Sequence, residues 1–157
     1  MRWLWISLLV VVVDQATKLA ADAWLAYHQP VAVVPMFNLT LSYNRGAAFS
    51  FLADAGGWQR WFFLALAGVI SAVLVAWMRR LSPRQRITGM ALALVLGGAV
   101  GNLIDRAVYG HVIDFLDVYY ERWHWPTFNV ADSAITLGVA LLFFGALRGE
   151  GNEDRGR

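Results

Sequence analysis

Four apolar stretches, each close to the length that crosses a lipid bilayer, account for most of this chain of 157 residues. They run over about 3–26, 61–78, 87–104 and 128–147, and a transmembrane helix needs about 20 mostly apolar residues. The mean hydropathy of +0.50 and the hydrophobic share of 59% are far above those of ordinary soluble domains. The sequence therefore predicts an all-α membrane protein with four transmembrane helices.

The rest of the composition limits the domain organisation and the partners. Residues 1–147 form a single polytopic membrane domain, and the polar, glycine-containing segment 148–157 predicts a disordered cytoplasmic tail. The chain has no cysteine, which excludes disulfides, thiolate nucleophiles and cysteine metal sites. A formal charge of only +2, without a basic patch studded with aromatic residues, argues against a nucleic-acid partner.

The distribution of arginine predicts the orientation of the four spans. Four arginines and no acidic residue lie within 79–86, whereas 27–59 and 107–127 contain one arginine each. By the positive-inside rule the 79–86 loop is cytoplasmic. Both termini should then be cytoplasmic as well, and the two longer loops should face outward.

Two aspartates lie in apolar sequence at the edges of the predicted spans. Asp114 is set in Val112–Phe115, and Asp132 is set near the start of the fourth span. A carboxylate inside the bilayer costs roughly 2.5–3.5 kcal/mol on insertion scales, so such a residue is a candidate for function. Two carboxyl groups that share a proton can activate a water molecule and protonate a leaving amine.

Helical rise places further polar residues close to these two acids. At about 1.5 Å per residue, Asp105 lies ~27 Å along the third span and Asp132 ~22 Å from the inner end of the fourth. Asp114 stands in a β-branched stretch that can return to the same outer surface. The residues that can gather in one outward-facing pocket are Asp14, Asn44, Asn102, Asp105, Arg106, Asp114, Asn129 and Asp132.

Several of these features also have a purely structural interpretation. Asp14 and Lys18 have i, i+4 spacing and are expected to form a structural ion pair. The pair Asp105–Arg106 is equally consistent with plain interfacial charge. The glycines in 97–101 indicate close helix packing, and Asp117 and Glu121 are expected to be solvated loop charges.

Other classes of function remain open on these residues alone. Acids inside spans also serve proton-coupled transporters, although here they cluster on one side of the membrane. A non-enzymatic scaffold with its acids in ion pairs is a second alternative. The three histidines lack HExxH-type spacing and no nucleophilic serine motif occurs, so we predict no metal and no cofactor.

Five motifs in order resemble the lipoprotein signal peptidase (signal peptidase II) family, the bacterial intramembrane aspartic peptidases. They span the chain from the first predicted helix to the fourth. The motifs are Asp14-Gln15-Ala16-Thr17-Lys18, Asn44-Arg45-Gly46-Ala47-Ala48-Phe49, residues 97–106, Val112-Ile113-Asp114-Phe115 and Phe128-Asn129-Val130-Ala131-Asp132.

The resemblance implies a catalytic dyad of Asp114 and Asp132 that acts as an aspartic endopeptidase. It implies removal of signal peptides from prolipoproteins by cleavage before a diacylglyceryl-modified cysteine, near the periplasmic face of the bacterial inner membrane. It also implies an outward-facing β extension and a short periplasmic helix or flap, both from the 27–58 loop. Membrane lipids are the other expected partner, and a monomer is expected. The residues that it implies for substrate binding or pocket support are Asp14, Lys18, Asn44, Gly46, Asn102, Asp105, Arg106 and Asn129.

Overall fold

The protein is known from a computed structural model that describes residues 2–46 and 56–148. In chain order the elements are α1 (Leu4–Trp24), β1 (Val31–Val34), β2 (Phe37–Asn44), α2 (Gln59–Arg79), α3 (Arg86–Val108), β3 (Val112–Tyr120), β4 (Trp123–His124) and α4 (Val130–Leu147). Two expectations lie partly or mostly outside these residues. They are the short helix or flap expected in the 27–58 loop, of which residues 47–55 are not among those described, and the disordered tail, of which only residue 148 is described.

All four predicted spans are helices that are long and apolar enough to cross a membrane. The largest difference from the sequence prediction is in α3, which continues to Val108 instead of ending at residue 104. The predicted span ended at residue 104 because Asp105 and Arg106 interrupt the apolar run. The helix continues past them because their side chains have polar partners inside the protein. The helix ends where Gly110 adopts a left-handed φ of 78° and its N–H bonds the Arg106 carbonyl at 3.2 Å.

Helix α3 is the central element, with half of its most apolar window buried, and it packs against the other three helices. Its small residues allow this close approach. A Cβ added at Gly101 would lie 2.6 Å from Oδ2 of Asp14 on α1, and one added at Gly98 would overlap the backbone carbonyl of Ala131 on α4. The interpretation of residues 97–101 as a close-packing motif is confirmed.

Most apolar side chains on the outer faces of the bundle are exposed, as expected where lipid is the solvent. Helix α2 buries little of its surface, and Trp61, Val69 and Val73 on it are largely exposed. A buried apolar cluster fills the half of the bundle next to the 80–85 loop, with Leu74 and Met78 from α2 against Leu92 and Leu96 from α3. Polar groups are therefore concentrated toward the other end of the bundle.

A four-stranded antiparallel sheet in the order β1-β2-β3-β4 covers that other end. The resemblance implied strands from the 27–58 loop, and the 107–127 loop contributes β3 and β4 as well. Strand β2 pairs with β3 so that Ser42 lies opposite Asp114 and Asn44 opposite Val112. The sheet thereby holds Asp114 above the ends of α3 and α4 that lie away from the 80–85 loop.

The segment that leads into α4 is fixed to the sheet by backbone hydrogen bonds. The Leu116 N–H donates to the Phe128 carbonyl at 2.8 Å, and the Phe128 N–H donates to the Leu116 carbonyl at 3.0 Å. Asn129 then caps α4. Because Phe128 is the residue before that cap, the start of α4 is held two residues along β3 from Asp114.

We expect Gly98→Ala to destabilise the protein, because the added methyl group would overlap the Ala131 carbonyl across the α3–α4 contact. Overpacking of a close contact typically costs about 1–3 kcal/mol. Gly68→Ala on α2 is the matched control, since a Cβ there meets nothing within 4 Å. Thermal unfolding in detergent should show a lower Tm for Gly98→Ala only; equal Tm values for both variants would contradict the packing.

Candidate active site

Two carboxyl groups from different elements converge at the end of the bundle that the sheet covers. Asp114 lies on β3 with 2% of its surface exposed, and Asp132 lies in the first turn of α4. Both line a cavity of about 1020 Å³. The strand and the helix that carry them are joined through Asn129, which bonds both carboxylates.

Asn129 is fixed in one orientation by the start of α4. Its Oδ1 accepts the Asp132 N–H at 2.9 Å, and its own N–H donates to Oδ2 of Asp132 at 3.3 Å, which together form a capping box. A backbone N–H can only donate, so the amide oxygen must face it. The amide nitrogen Nδ2 therefore points the other way and donates to Oδ1 of Asp114 at 2.6 Å.

Asn102 supplies the equivalent hydrogen bond to the second carboxylate. Its Nδ2 donates to Oδ1 of Asp132 at 2.8 Å, while its Oδ1 accepts from Nζ of Lys18 at 2.8 Å. Each of the two aspartates thus receives a side-chain amide N–H from one of these two asparagines.

Lys18 is almost completely buried, with 1% of its surface exposed. Its Nζ lies 2.9 Å from Oδ2 of Asp14 and 2.9 Å from Oδ2 of Asp105, and with Asn102 this gives three acceptors for the three N–H groups. The predicted Asp14–Lys18 ion pair is confirmed. The interpretation of Asp105 as interfacial charge is wrong, because this carboxylate has no exposed surface and belongs to the buried ion group.

The two carboxylates of this group also accept backbone hydrogen bonds. Asp14 accepts the Ala131 N–H at 2.8 Å through Oδ1, and Asp105 accepts the Ile113 N–H at 3.1 Å through Oδ2. The ion group on α1 and α3 is thereby tied to β3 and to the first turn of α4.

Gln15 belongs to the same network, and the sequence analysis did not select it. Its Nε2 donates to Oδ1 of Asp105 at 2.8 Å and to the Gly101 carbonyl at 3.2 Å. The available signal was its position inside the Asp14–Lys18 motif. A neutral amide in a span is less conspicuous than a charge, which explains why it was missed.

Arg106 connects α3 to the turn after β2. Its guanidinium donates to the Gly46 carbonyl at 2.9 Å and lies over the ring of Phe63, 5.1 Å from its centroid. The Gly46 N–H in turn donates to Oδ1 of Asn44 at 3.0 Å. Asn44 and Arg106 both line the cavity that contains the two carboxylates.

The surroundings of Asp114 favour its protonated form. Burial and the neighbouring carboxylate of Asp132 raise the pKa of Asp114 to about 7, against the opposing effect of hydrogen bonds from Asn129 and Asn44. A carboxyl group with this pKa is about half protonated near pH 7, and it lies beside a second carboxyl group in the same cavity. Two acids placed in this way can share one proton.

The cavity extends from the carboxylates along one side of α4. Thr136, Leu137 and Ala140 line it beyond Asp132. Eight residues of helix separate Asp132 from Ala140, or about 12 Å of helical rise. Leu137 is 55% exposed, so this part of the cavity is open toward the lipid-facing side of the bundle.

The ten residues predicted for the site therefore form one continuous network, with Asp114 and Asp132 at the end that the sheet covers. The interpretation of Asp117 as a solvated charge is wrong. It is 3% exposed and accepts hydrogen bonds from Asn38 at 3.3 Å and Thr40 at 3.0 Å, with His124 at 2.8 Å. Burial raises the pKa of Asp117, but these hydrogen bonds outweigh it and lower the pKa overall. Asp117 does not line the cavity of the dyad, whereas Glu121 is exposed as expected.

No group of three or more His, Cys, Asp or Glu side chains within 2–46 and 56–148 could hold a metal ion. The absence of a metal requirement stays a prediction from the sequence. The acid pair has the components needed to activate water by itself.

Known proteins are similar to this one over nearly the whole chain. A family model for signal peptidase (SPase) II matches residues 6–148. A lipoprotein signal peptidase of Aeromonas hydrophila is 52% identical over 155 residues, which cover 98% of this chain and 93% of that protein. Another, of Paraburkholderia phymatum, is 57% identical over 146 residues, covering 93% and 87% of the two chains.

The fold is also similar to that of a solved bacterial membrane enzyme, determined by the in meso method at 2.3 Å resolution. The TM-score is 0.85 at 31% identity, with 97% of this chain and 91% of that chain covered. Sequence similarity along the chain and this shared fold lead to one conclusion: the protein belongs to the signal peptidase II family, the membrane peptidases that remove signal peptides from prolipoproteins.

Proposed function

We propose that this peptidase is of the aspartic type and that Asp114 and Asp132 are its catalytic dyad. The observation that carries the proposal is the convergence of a buried carboxyl group, Asp114, and a half-buried one, Asp132, on one cavity, each accepting an amide N–H from a fixed asparagine. Carboxyl groups in this relation can hold a single proton between them, which is the starting state for hydrolysis by a carboxylate pair.

Asp132 is the general base and Asp114 the general acid in this proposal. The ionised Asp132 takes a proton from water as the water oxygen bonds to the scissile carbonyl carbon, while protonated Asp114 gives its proton to the carbonyl oxygen. When the C–N bond breaks, the proton on Asp132 goes to the leaving amine and Asp114 recovers one from the hydroxyl group. The dyad ends with the single proton it had at the start.

The polar residues around the dyad position the substrate and the acids. Arg106 and Asn44 line the cavity and can donate hydrogen bonds to a substrate backbone. Asp14, Lys18, Asp105, Asn102 and Asn129 support the pocket by fixing its walls. Gly46 belongs to the same support through its carbonyl, which accepts from Arg106.

The substrate class follows from where the cavity opens. Its extension along α4 to Ala140 is suited to a chain that approaches from the bilayer. We assign as substrates prolipoproteins whose cysteine already carries a diacylglyceryl group, with cleavage just before that cysteine. Two buried acyl chains contribute about 0.8 kcal/mol per CH₂ to membrane anchoring, so they confine the scissile bond to one depth.

The orientation in the inner membrane is part of the same proposal. The arginine-rich 79–86 segment is expected in the cytoplasm with both termini, which puts the dyad near the periplasmic face. The half of the bundle next to that segment holds an apolar cluster around Leu92. A transporter would need polar groups there, so the cluster favours a peptidase over a proton-coupled transporter. A monomer remains the expected state.

We expect Asp114→Asn and Asp132→Asn each to abolish cleavage while the protein folds and inserts normally. Asparagine is isosteric, but it cannot carry the proton that each step transfers. Asp117→Asn is the matched control, since it is a buried aspartate of the same strand outside the cavity. Cleavage of a lipidated prolipoprotein peptide by purified protein is the measurement, and substantial turnover by either dyad variant would exclude the dyad.

We expect the Asp114 carboxyl group to lose its proton with a midpoint near pH 7. Because the Asp132 carboxylate raises this pKa, Asp132→Asn should move the midpoint to lower pH. Infrared spectra of the protonated carboxyl group can follow the titration, with the signal assigned by its loss in Asp114→Asn. In the wild type, turnover should fall as the pH rises through this midpoint, since the acid is then deprotonated. An unchanged midpoint in Asp132→Asn would show that the two groups do not share a proton.

We expect cleavage only of substrates whose cysteine is already lipidated. The comparison uses one prolipoprotein before and after diacylglyceryl transfer, in the same bilayer. The unmodified form should react far more slowly, because nothing fixes its scissile bond at the depth of the dyad. Comparable rates would mean that lipid anchoring does not position the bond, and would count against the assigned substrate class.

A further inference from the structure

We propose that Lys18 is a positioning residue of the reaction, which orients the Asn102 amide toward Asp132 and fixes the two backbone segments that carry the dyad. The proposal rests on the proposed dyad and assigns to Lys18 a specific effect on it. Lys18 itself would touch neither substrate nor water.

The first part of the argument concerns the orientation of Asn102. An amide side chain offers an oxygen on one side and an NH₂ group on the other, and the two ends have almost the same shape. An ammonium group has only donors, so Nζ of Lys18 accepts no bond and must face the oxygen, at 2.8 Å. The NH₂ group is then turned toward Oδ1 of Asp132, at 2.8 Å.

Without the ammonium this orientation would be held less firmly. Asn129 also donates to Oδ1 of Asn102, but at 3.2 Å, and the same NH₂ group bonds Asp114 at 2.6 Å. A flipped Asn102 would present its oxygen to the Asp132 carboxylate, and two acceptors repel. Lys18 makes the shortest bond to that oxygen and the one that carries a charge, so it contributes most to keeping a donor on the proposed base.

The second part concerns the backbone. The carboxylates that flank Lys18 accept the N–H groups of Ile113 and Ala131, at 3.1 Å and 2.8 Å. Ile113 directly precedes Asp114, and Ala131 directly precedes Asp132. The Lys18 ammonium thus holds the carboxylates of Asp14 and Asp105. These two carboxylates in turn hold the residue that precedes each acid of the dyad. This juxtaposition sets the spacing between the acids.

A purely stabilising role explains the arrangement less well. Burying an ion group costs so much desolvation that apolar side chains of similar volume often stabilise a protein as well or better. Apolar side chains, however, cannot orient an amide or hold a backbone N–H. The desolvation cost of burying the ion group is explained if this group positions the two acids of the dyad.

The decisive variant is Lys18→Met/Asp105→Asn, which removes one positive and one negative charge and keeps an acceptor for the Ile113 N–H. Misplacement of reacting groups by about 1 Å can cost roughly 10²-fold, so we expect kcat to fall by about that factor with KM little changed. The alkaline limb of the pH–rate profile, where Asp114 loses its proton, should move to higher pH, because Lys18 lowers the pKa of Asp114 and its removal raises that pKa. Asp105→Asn alone keeps the ammonium on Asn102 and should lose at most about tenfold, the effect of one hydrogen bond.

Leu92→Ala is the control for loss of stability. This side chain is fully buried in the apolar cluster away from the dyad, and its truncation leaves a cavity that lowers stability. It should lower Tm without moving the pH–rate profile below that temperature. A double variant that behaves like Leu92→Ala, with kcat and profile unchanged below its Tm, would overturn the positioning role.

If the double variant does not fold, Asn102→Asp decides the question. It keeps an acceptor for Lys18 and so preserves the ion group, but its carboxylate cannot donate to Asp132. Loss of activity in a protein of near wild-type Tm is expected, whereas retained activity would overturn the proposal. Asp114→Asn and Asp132→Asn are assayed in parallel. If these two variants retain activity, the proposed dyad is wrong. If they lose activity while Asn102→Asp retains it, the dyad stands and only the positioning role of Lys18 is overturned.

Discussion

The buried ammonium of Lys18 is the interaction on which the polar end of the bundle depends. It is surrounded by a carboxylate from its own helix and by a carboxylate and an amide from α3. Breaking such a group by removing one partner typically costs about 3–5 kcal/mol, because the remaining charges stay buried without compensation. Helices α1 and α3 are therefore held in one relative position at the level of the site. The carboxylate of Asp14 extends the same constraint to α4 through the Ala131 N–H.

The membrane explains why these polar groups are concentrated at one end. Near the 80–85 loop the bundle is closed by apolar side chains such as Leu74 and Leu96, and lipid surrounds the outer faces. Toward the other end, α3 has the small residues that let α1 and α4 approach, so donors and acceptors meet without water. The sheet then adds Asp114 from outside the spans. The proposed hydrolysis of a lipid-anchored chain would find both water and lipid at this boundary.

The sequence predicted the parts of the fold that depend on composition and short spacing. Long apolar stretches gave the spans, and i, i+4 spacing gave the Asp14–Lys18 pair, because both are local properties of the chain. The burial of Asp117 was not predictable, since its partners Asn38 and Thr40 come from a strand about 80 residues away. The end of α3 was predicted too early for a similar reason. In the sequence, Asp105 indicates the end of a membrane span, because its buried partners come from other parts of the chain.

The roles of individual atoms were the least accessible from the sequence. Asn102 and Asn129 could be selected as polar residues, but which end of each amide faces a carboxylate depends on a third group. For Asn129 that group is the first turn of α4, whose N–H groups require an acceptor at the cap. The hydrogen bonds that begin the helix are therefore the same ones that place Asp132 and direct an N–H to Asp114. Any change that shifts the start of α4 would also displace the base of the proposed dyad, so the start of this helix and the geometry of the site depend on the same hydrogen bonds.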